Sequence, residues 1–146
     1  MKKRNIILLL MVLLVAVSAV GLSSCEKAFP NDRLDFYWRL DNIEYRDGVD
    51  FSGNPCQSVD IDNIMFGFAR HIVLIEAPGL AQQHGVTTEF EDSIKLDYSV
   101  YNNPGLVNQL QKCGLDSIVS TFKLEFPDRH HMVLSGKKTI LRFRKW

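Results

Sequence analysis

Leu34-Asp35-Phe36-Tyr37-Trp38-Arg39-Leu40-Asp41-Asn42-Ile43-Glu44-Tyr45 alternates bulky apolar and polar side chains. Phe36, Trp38 and Leu40 fall on one side of an extended chain, and Tyr37, Arg39 and Asp41 on the other. This period-two alternation marks a half-buried strand. Arg46-Asp47-Gly48 then supplies a turn, from residue types that favour tight reversal.

The pattern recurs downstream. Residues 49–62 are polar around Gly53-Asn54-Pro55 and read as a long connection. Asn63 to Glu76 is the most apolar block of the chain beyond residue 24: one long bent strand, or two strands changing direction near Ala69-Arg70. Gly67 inside it predicts a bulge or bend, because glycine packs nothing in a strand. Pro78-Gly79 opens a loop reaching to about Gly85, and the strands Val86–Phe90 and Ile94–Val100 flank a turn at Glu91-Asp92-Ser93. The period then switches. Asn103-Pro104 starts a short helix over 104–113, with Leu106, Val107 and Leu110 as its apolar stripe and Gly114 as its cap, proline being tolerated in a first turn and glycine favoured just past a last one.

The chain returns to strand at Ile118–Phe126, with Ile118, Ser120, Phe122, Leu124 and Phe126 on one side. Turns at 127–130 and 136–138 separate His131–Ser135 from Thr139–Lys145. Seven or eight short antiparallel strands and one helix predict an all-β domain. Sequential hairpins remove their exposed edges best by closing on themselves. The expected architecture is a small up-and-down β-barrel, with an open sandwich as the alternative.

Ahead of this domain lies a different chemistry. Lys2, Lys3 and Arg4 precede an apolar run from Ile6 to Val20, and Leu22-Ser23-Ser24-Cys25 follows. A basic start, an apolar middle and small residues before a cut site make a secretory signal. With its cysteine the segment resembles a bacterial lipoprotein signal and its lipobox, which implies that residues 1–24 are removed and Cys25 carries acyl chains. The rival is a transmembrane helix, but the 17 residues from Ile6 to Leu22 sit at the low edge of what spans a bilayer. Residues 25–33 then form a lipidated N-terminus and tether, and 34–146 the folded domain. Glu26, not aspartate, follows the cysteine, which by resemblance to lipoprotein sorting implies the outer membrane.

Beyond residue 24 the chain holds 122 residues with 14 basic and 17 acidic side chains, a net charge of −3. A mildly acidic domain lacks the basic face that nucleic acid requires. Cys56 and Cys113 remain in a compartment that permits disulfides. They could be bridged, or stand as two separate thiols; geometry decides.

The chain resembles the lipocalin-like lipoproteins of Bacteroides-type bacteria, within the wider calycin barrel group. The likeness rests on the lipobox ending at Cys25, on Trp38-Arg39-Leu40 followed by Asp47-Gly48, and on the closing Leu141-Arg142-Phe143-Arg144-Lys145-Trp146. It implies that Trp38 packs beneath a basic side chain of the last strand, Arg142 or Arg144. Phe36 stands where lipocalins carry a glycine two positions before the tryptophan.

Nothing in the sequence spells catalysis. His71, His84, His130 and His131 form no HExxH pattern and flank no cysteine at zinc spacing, so surface or turn positions are expected. Glu89 and Glu91 share a face beside a turn, where carboxylates are usually solvated. No GxSxG elbow, phosphate-binding glycine loop or CxxC is present. The expectation is a protein that binds rather than catalyses, without cofactor or metal. If the barrel forms, its lumen is the default site. Phe36, Trp38, Leu40, Phe66, Phe68, Phe90, Leu96, Tyr98, Phe122 and Leu124 would line either a pocket for a small apolar ligand or a packed core. So many bulky rings favour filling.

Overall fold

In a computed structural model, residues 33–101 and 104–146 are described. The expected signal segment, Cys25, the expected tether before Arg33 and the expected helix start at Asn103 lie outside them. Eight strands follow in order: β1 (Tyr37–Tyr45), β2 (Ser58–Ala69), β3 (Ile72–Glu76), β4 (Gln83–Glu89), β5 (Ser93–Asp97), β6 (Val119–Glu125), β7 (His131–Ser135) and β8 (Thr139–Lys145). Each pairs antiparallel with its neighbour, and β1 closes the ring on β8. The sheet is a closed up-and-down barrel, not a sandwich. A 3-10 turn (Ser99–Tyr101) and the helix α1 (Leu106–Lys112) separate β5 from β6.

The opening stretch is a strand, with one irregularity that alternation hides. Trp38 and Leu40 point inward, and so does Ile43, three residues on. Register slips between Leu40 and Asn42 against both neighbouring strands. Against β8 Asp41 is an extra residue, and against β2 it stands opposite three residues, 61–63; the irregularity resets the parity, as a β-bulge does. Its outward carboxylate accepts from Arg39 Nε at 3.0 Å and faces Arg144 Nε at 3.5 Å. Opposite it, Asn63 of β2 adopts φ of 66°, a left-handed conformation that asparagine tolerates better than most residues.

Several boundaries differ from the sequence expectation. β2 begins at Ser58, so the polar connection ends at 57; its first residues are mostly exposed, with Val59 and Ile61 interleaved with the carboxylates of Asp60 and Asp62. The apolar block is two strands joined by a two-residue turn at 70–71. Gly67 is no bulge: a Cβ there would stand 2.8 Å from the Tyr37 ring, so glycine makes room for an aromatic on the outer wall. β4 starts at Gln83 rather than Val86, because its inward residues are Gln83, Gly85 and Thr87, which carry no hydrophobic signal. β5 stops at Asp97, whose carboxylate accepts from the Ser99 N–H at 3.0 Å and the Ser99 hydroxyl at 2.6 Å. These bonds turn the chain out of the ladder.

α1 buries Leu106 and Leu110, continued by Cys113 and Leu115, while Val107 faces outward. The stripe thus runs at i, i+4 and i+7. Gly114 ends the helix at φ of 84°, where a Cβ would meet Leu141 and Ile43. The helix exit is pressed against β1 and β8.

Candidate functional site

The barrel interior is the place where a ligand would sit, and its side chains come from every strand. Leu40, Phe66, Ile94, Leu96, Met132 and Leu134 are each 0% exposed. A side chain bordering a water-sized void would show accessible surface, and these show none. Phe66 packs edge-on to Phe143 at 5.0 Å between ring centroids and stacks on Phe68 at 6.4 Å. Trp38, Phe68, Tyr98, Phe122 and Leu124 join the same core. Along these walls no water-sized void borders the six side chains named. Two expected lining residues are elsewhere. Phe36 is 49% exposed and Phe90 52% exposed: both lie just outside strand ends, where inward parity no longer holds.

The two ends of the barrel are closed differently. At the end where β1 begins, Trp38 Nε1 donates to the Leu34 carbonyl at 3.1 Å, and the fully buried Leu34 plugs the opening. Phe126 tilts against the indole at 5.7 Å. The cation nearest that indole is Lys145, with Nζ 5.9 Å from the ring. Neither expected arginine takes this role: Arg142 pairs with Glu44 at 3.0 Å and Arg144 with Asp41. The strand alternation explains it, since both arginines point outward from β8 and the lysine sits at the rim.

At the other end α1 lies across the mouth. Gln83 Nε2 donates to the Ala81 carbonyl at 2.7 Å and to the side-chain oxygen of Gln109 on the helix. Thr139 Oγ1 donates to the Gly114 carbonyl at 2.7 Å. No sequence signal announced these two ties, because both join residues more than twenty positions apart. The Tyr98 hydroxyl and the Thr87 hydroxyl are buried without a hydrogen-bond partner. Burial pushes the Tyr98 phenol well above its ordinary value, with nearby Cys113 adding to the effect. Burial likewise raises the Cys113 thiol to about 11, against a smaller opposing pull from Lys112.

Cys56 and Cys113 are both free thiols, one half-buried and one buried, so the possible bridge is not formed. His131 Nδ1 lies 2.8 Å from Asp128 Oδ2 on the surface. Hydrogen bonds from the His130 backbone N–H and the His131 side chain hold that carboxyl below its usual range. Glu89 is half-buried and Glu91 exposed. Among the described residues no group of three or more His, Cys, Asp or Glu converges as a metal set.

The family model described as "Lipocalin-like domain" matches residues 20–146. The chain belongs to the lipocalin-like family. Two solved structures share this lipocalin-like barrel. A lipocalin-like protein from Bacteroides uniformis is 21% identical, with a TM-score of 0.59 over 78% of this chain and 99% of that one. A protein from Bacteroides eggerthii is 23% identical, with a TM-score of 0.57 over 77% of this chain and 99% of that one. No curated protein matches. The likeness fixes the architecture of the lipocalin-like domain; its chemistry has to come from its own residues.

Proposed function

We propose that this chain is a lipid-anchored lipoprotein of the bacterial cell envelope, held at the outer membrane by acyl chains on Cys25, and that its barrel works by binding at its surface rather than by catalysis. The surface half rests on one observation: inside the barrel Leu40, Phe66, Ile94, Leu96, Met132 and Leu134 carry no accessible surface. A barrel filled this way stores nothing. The anchor half rests on the basic, apolar and small-residue run that ends at Cys25, with Glu26 behind it. Each buried acyl CH2 contributes about 0.8 kcal/mol, so more than one chain is needed for stable anchoring. Intact mass of the mature membrane-extracted protein tests this half: acyl mass on a chain starting at Cys25 supports it, and a chain retaining residues 1–24 contradicts it.

A second reading has its own observation. The hydroxyls of Tyr98 and Thr87 are buried without a partner, and a buried hydroxyl without a partner costs about 1–3 kcal/mol. A small apolar ligand bearing one polar group could satisfy them if the helix lifted. Titration with a hydrophobic fluorophore separates the readings. No saturable binding supports the filled barrel. Saturable binding that Tyr98→Phe weakens supports the carrier.

A further inference from the structure

Three large aromatic side chains stand out of the barrel at the end where the described chain begins. Phe36 and Tyr37 are about half exposed, and Trp146 is 79% exposed. They form one patch across the β1–β8 seam. The Trp146 N–H donates to the Tyr37 carbonyl at 3.0 Å, and Lys145 Nζ lies 3.3 Å from the centre of the Phe36 ring. Phe90 projects from the same rim between β4 and β5. A cluster of exposed rings on a domain whose core is already filled marks a surface built to meet something.

We infer that this rim rests on the bilayer that holds the anchor, with Phe36, Tyr37 and Trp146 in the headgroup–acyl boundary and Lys145 at the level of the phosphates. The inference deepens the lipoprotein reading and rests on it. Tether length selects the rim. Eight peptide links join Cys25 to Arg33, a reach of at most about 27 Å even fully extended. Arg33 stands beside this rim, its guanidinium 6.0 Å from the Phe126 ring. The opposite, helix-capped rim lies a strand length away. Nine residues of β1 tilted as in small barrels rise roughly 23 Å, so bringing that rim to the membrane would consume nearly the whole tether.

The chemistry agrees with the geometry. Tyrosine and tryptophan concentrate at membrane interfaces because each has an apolar body and a polar edge. Lysine lays its stem along apolar surface and keeps its ammonium at the headgroups. The helix-capped rim, with Val100, Tyr101 and Val107 exposed, then faces away from the membrane and is left for other partners.

The chain has two tryptophans, and Trp38 is buried in the core, so an indole readout isolates Trp146. The acylated full-length mature protein is placed in vesicles of phosphatidylethanolamine with phosphatidylglycerol as the minor lipid, with and without bromination of the acyl chains. The Trp146→Phe variant, a surface change that leaves the core intact, runs in parallel. The expected result is a blue-shifted Trp146 emission, quenched by brominated lipid, with acrylamide quenching several-fold weaker than for the protein in detergent-free solution. Trp146→Phe loses the brominated-lipid response. Acylated protein that floats with the vesicles while Trp146 stays red-emitting, acrylamide-accessible and unquenched overturns the inference and leaves the anchor reading standing. Mature protein without acyl chains overturns both.

Discussion

The two ends of this barrel are closed by different means. At the Trp38 end the strands are joined by connections of two, three and five residues (70–71, 90–92 and 126–130), and the plug is Leu34, only four positions from the indole that holds it. At the other end the connections span 12, 6, 21 and 3 residues (46–57, 77–82, 98–118 and 136–138), and closure comes from a helix inserted between β5 and β6. The first closure is local and continuous with the strand it seals. The second is a separate segment, held by Leu106, Leu110, Cys113 and Leu115 and by two polar ties. Loop closure over a longer span carries a larger entropic cost. The helix end is therefore expected to open first, a difference that amide exchange reads.

Truncating the indole gives the largest effect. Trp38→Ala should cost about 3–5 kcal/mol of global stability, the range for a buried aromatic, measured by denaturant unfolding. A cost below about 1 kcal/mol, the scale of a surface change, would break the claim that this end is keyed by Trp38. Leu110→Ala should fall toward the lower part of about 2–5 kcal/mol. Its signature is regional: amide exchange should accelerate most over 99–115 and little at the Leu34 end. Uniform acceleration would erase the distinction between the ends.

Alkaline pH probes the helix end by titration. The Cys113 thiol rises from 9.0 to about 11 in the fold. The unfolded chain therefore loses this proton first, binds fewer protons than the folded one, and gains stability relative to it as pH rises. Folding stability should be intact below pH 9 and decline from there to about 11, by on the order of 3 kcal/mol. Cys113→Ala should flatten that part of the slope. An unchanged slope would mean the thiol is not sealed under α1.

The smallest effect concerns the Trp38 rim. Lys145→Ala should cost about 0.5–1 kcal/mol, as for a cation near an aromatic face at a partly exposed site. Arg142→Ala should stay within about 1 kcal/mol, since its partner Glu44 is a surface carboxylate. A double-mutant cycle should couple Trp38 to Lys145 and not to Arg142 or Arg144.

Much of this architecture was legible wherever inward positions are apolar. Leu40, Phe66, Leu96, Phe122 and Phe143 alternate cleanly, and the count of hairpins leads to a closed barrel. Legibility failed where inward residues are polar or small. The start of β4 was missed because Gln83, Gly85 and Thr87 face in. The Asp41 bulge was missed because parity before and after it looks regular on either side alone. At the site, the core aromatics were readable by face, whereas Phe36 and Phe90 sit past strand ends, where alternation carries no information. The choice of Lys145 over the arginines and the free state of Cys56 and Cys113 depend on three-dimensional proximity, which spacing along the chain does not encode.

The central claim is that the barrel is filled, and xenon tests it directly, because xenon occupies dry apolar cavities without needing polar partners. Crystals of the protein held under xenon pressure should show no xenon among Phe66, Leu96 and Met132. An ordered xenon atom inside the barrel would contradict the account and return the lumen to the role of a ligand site.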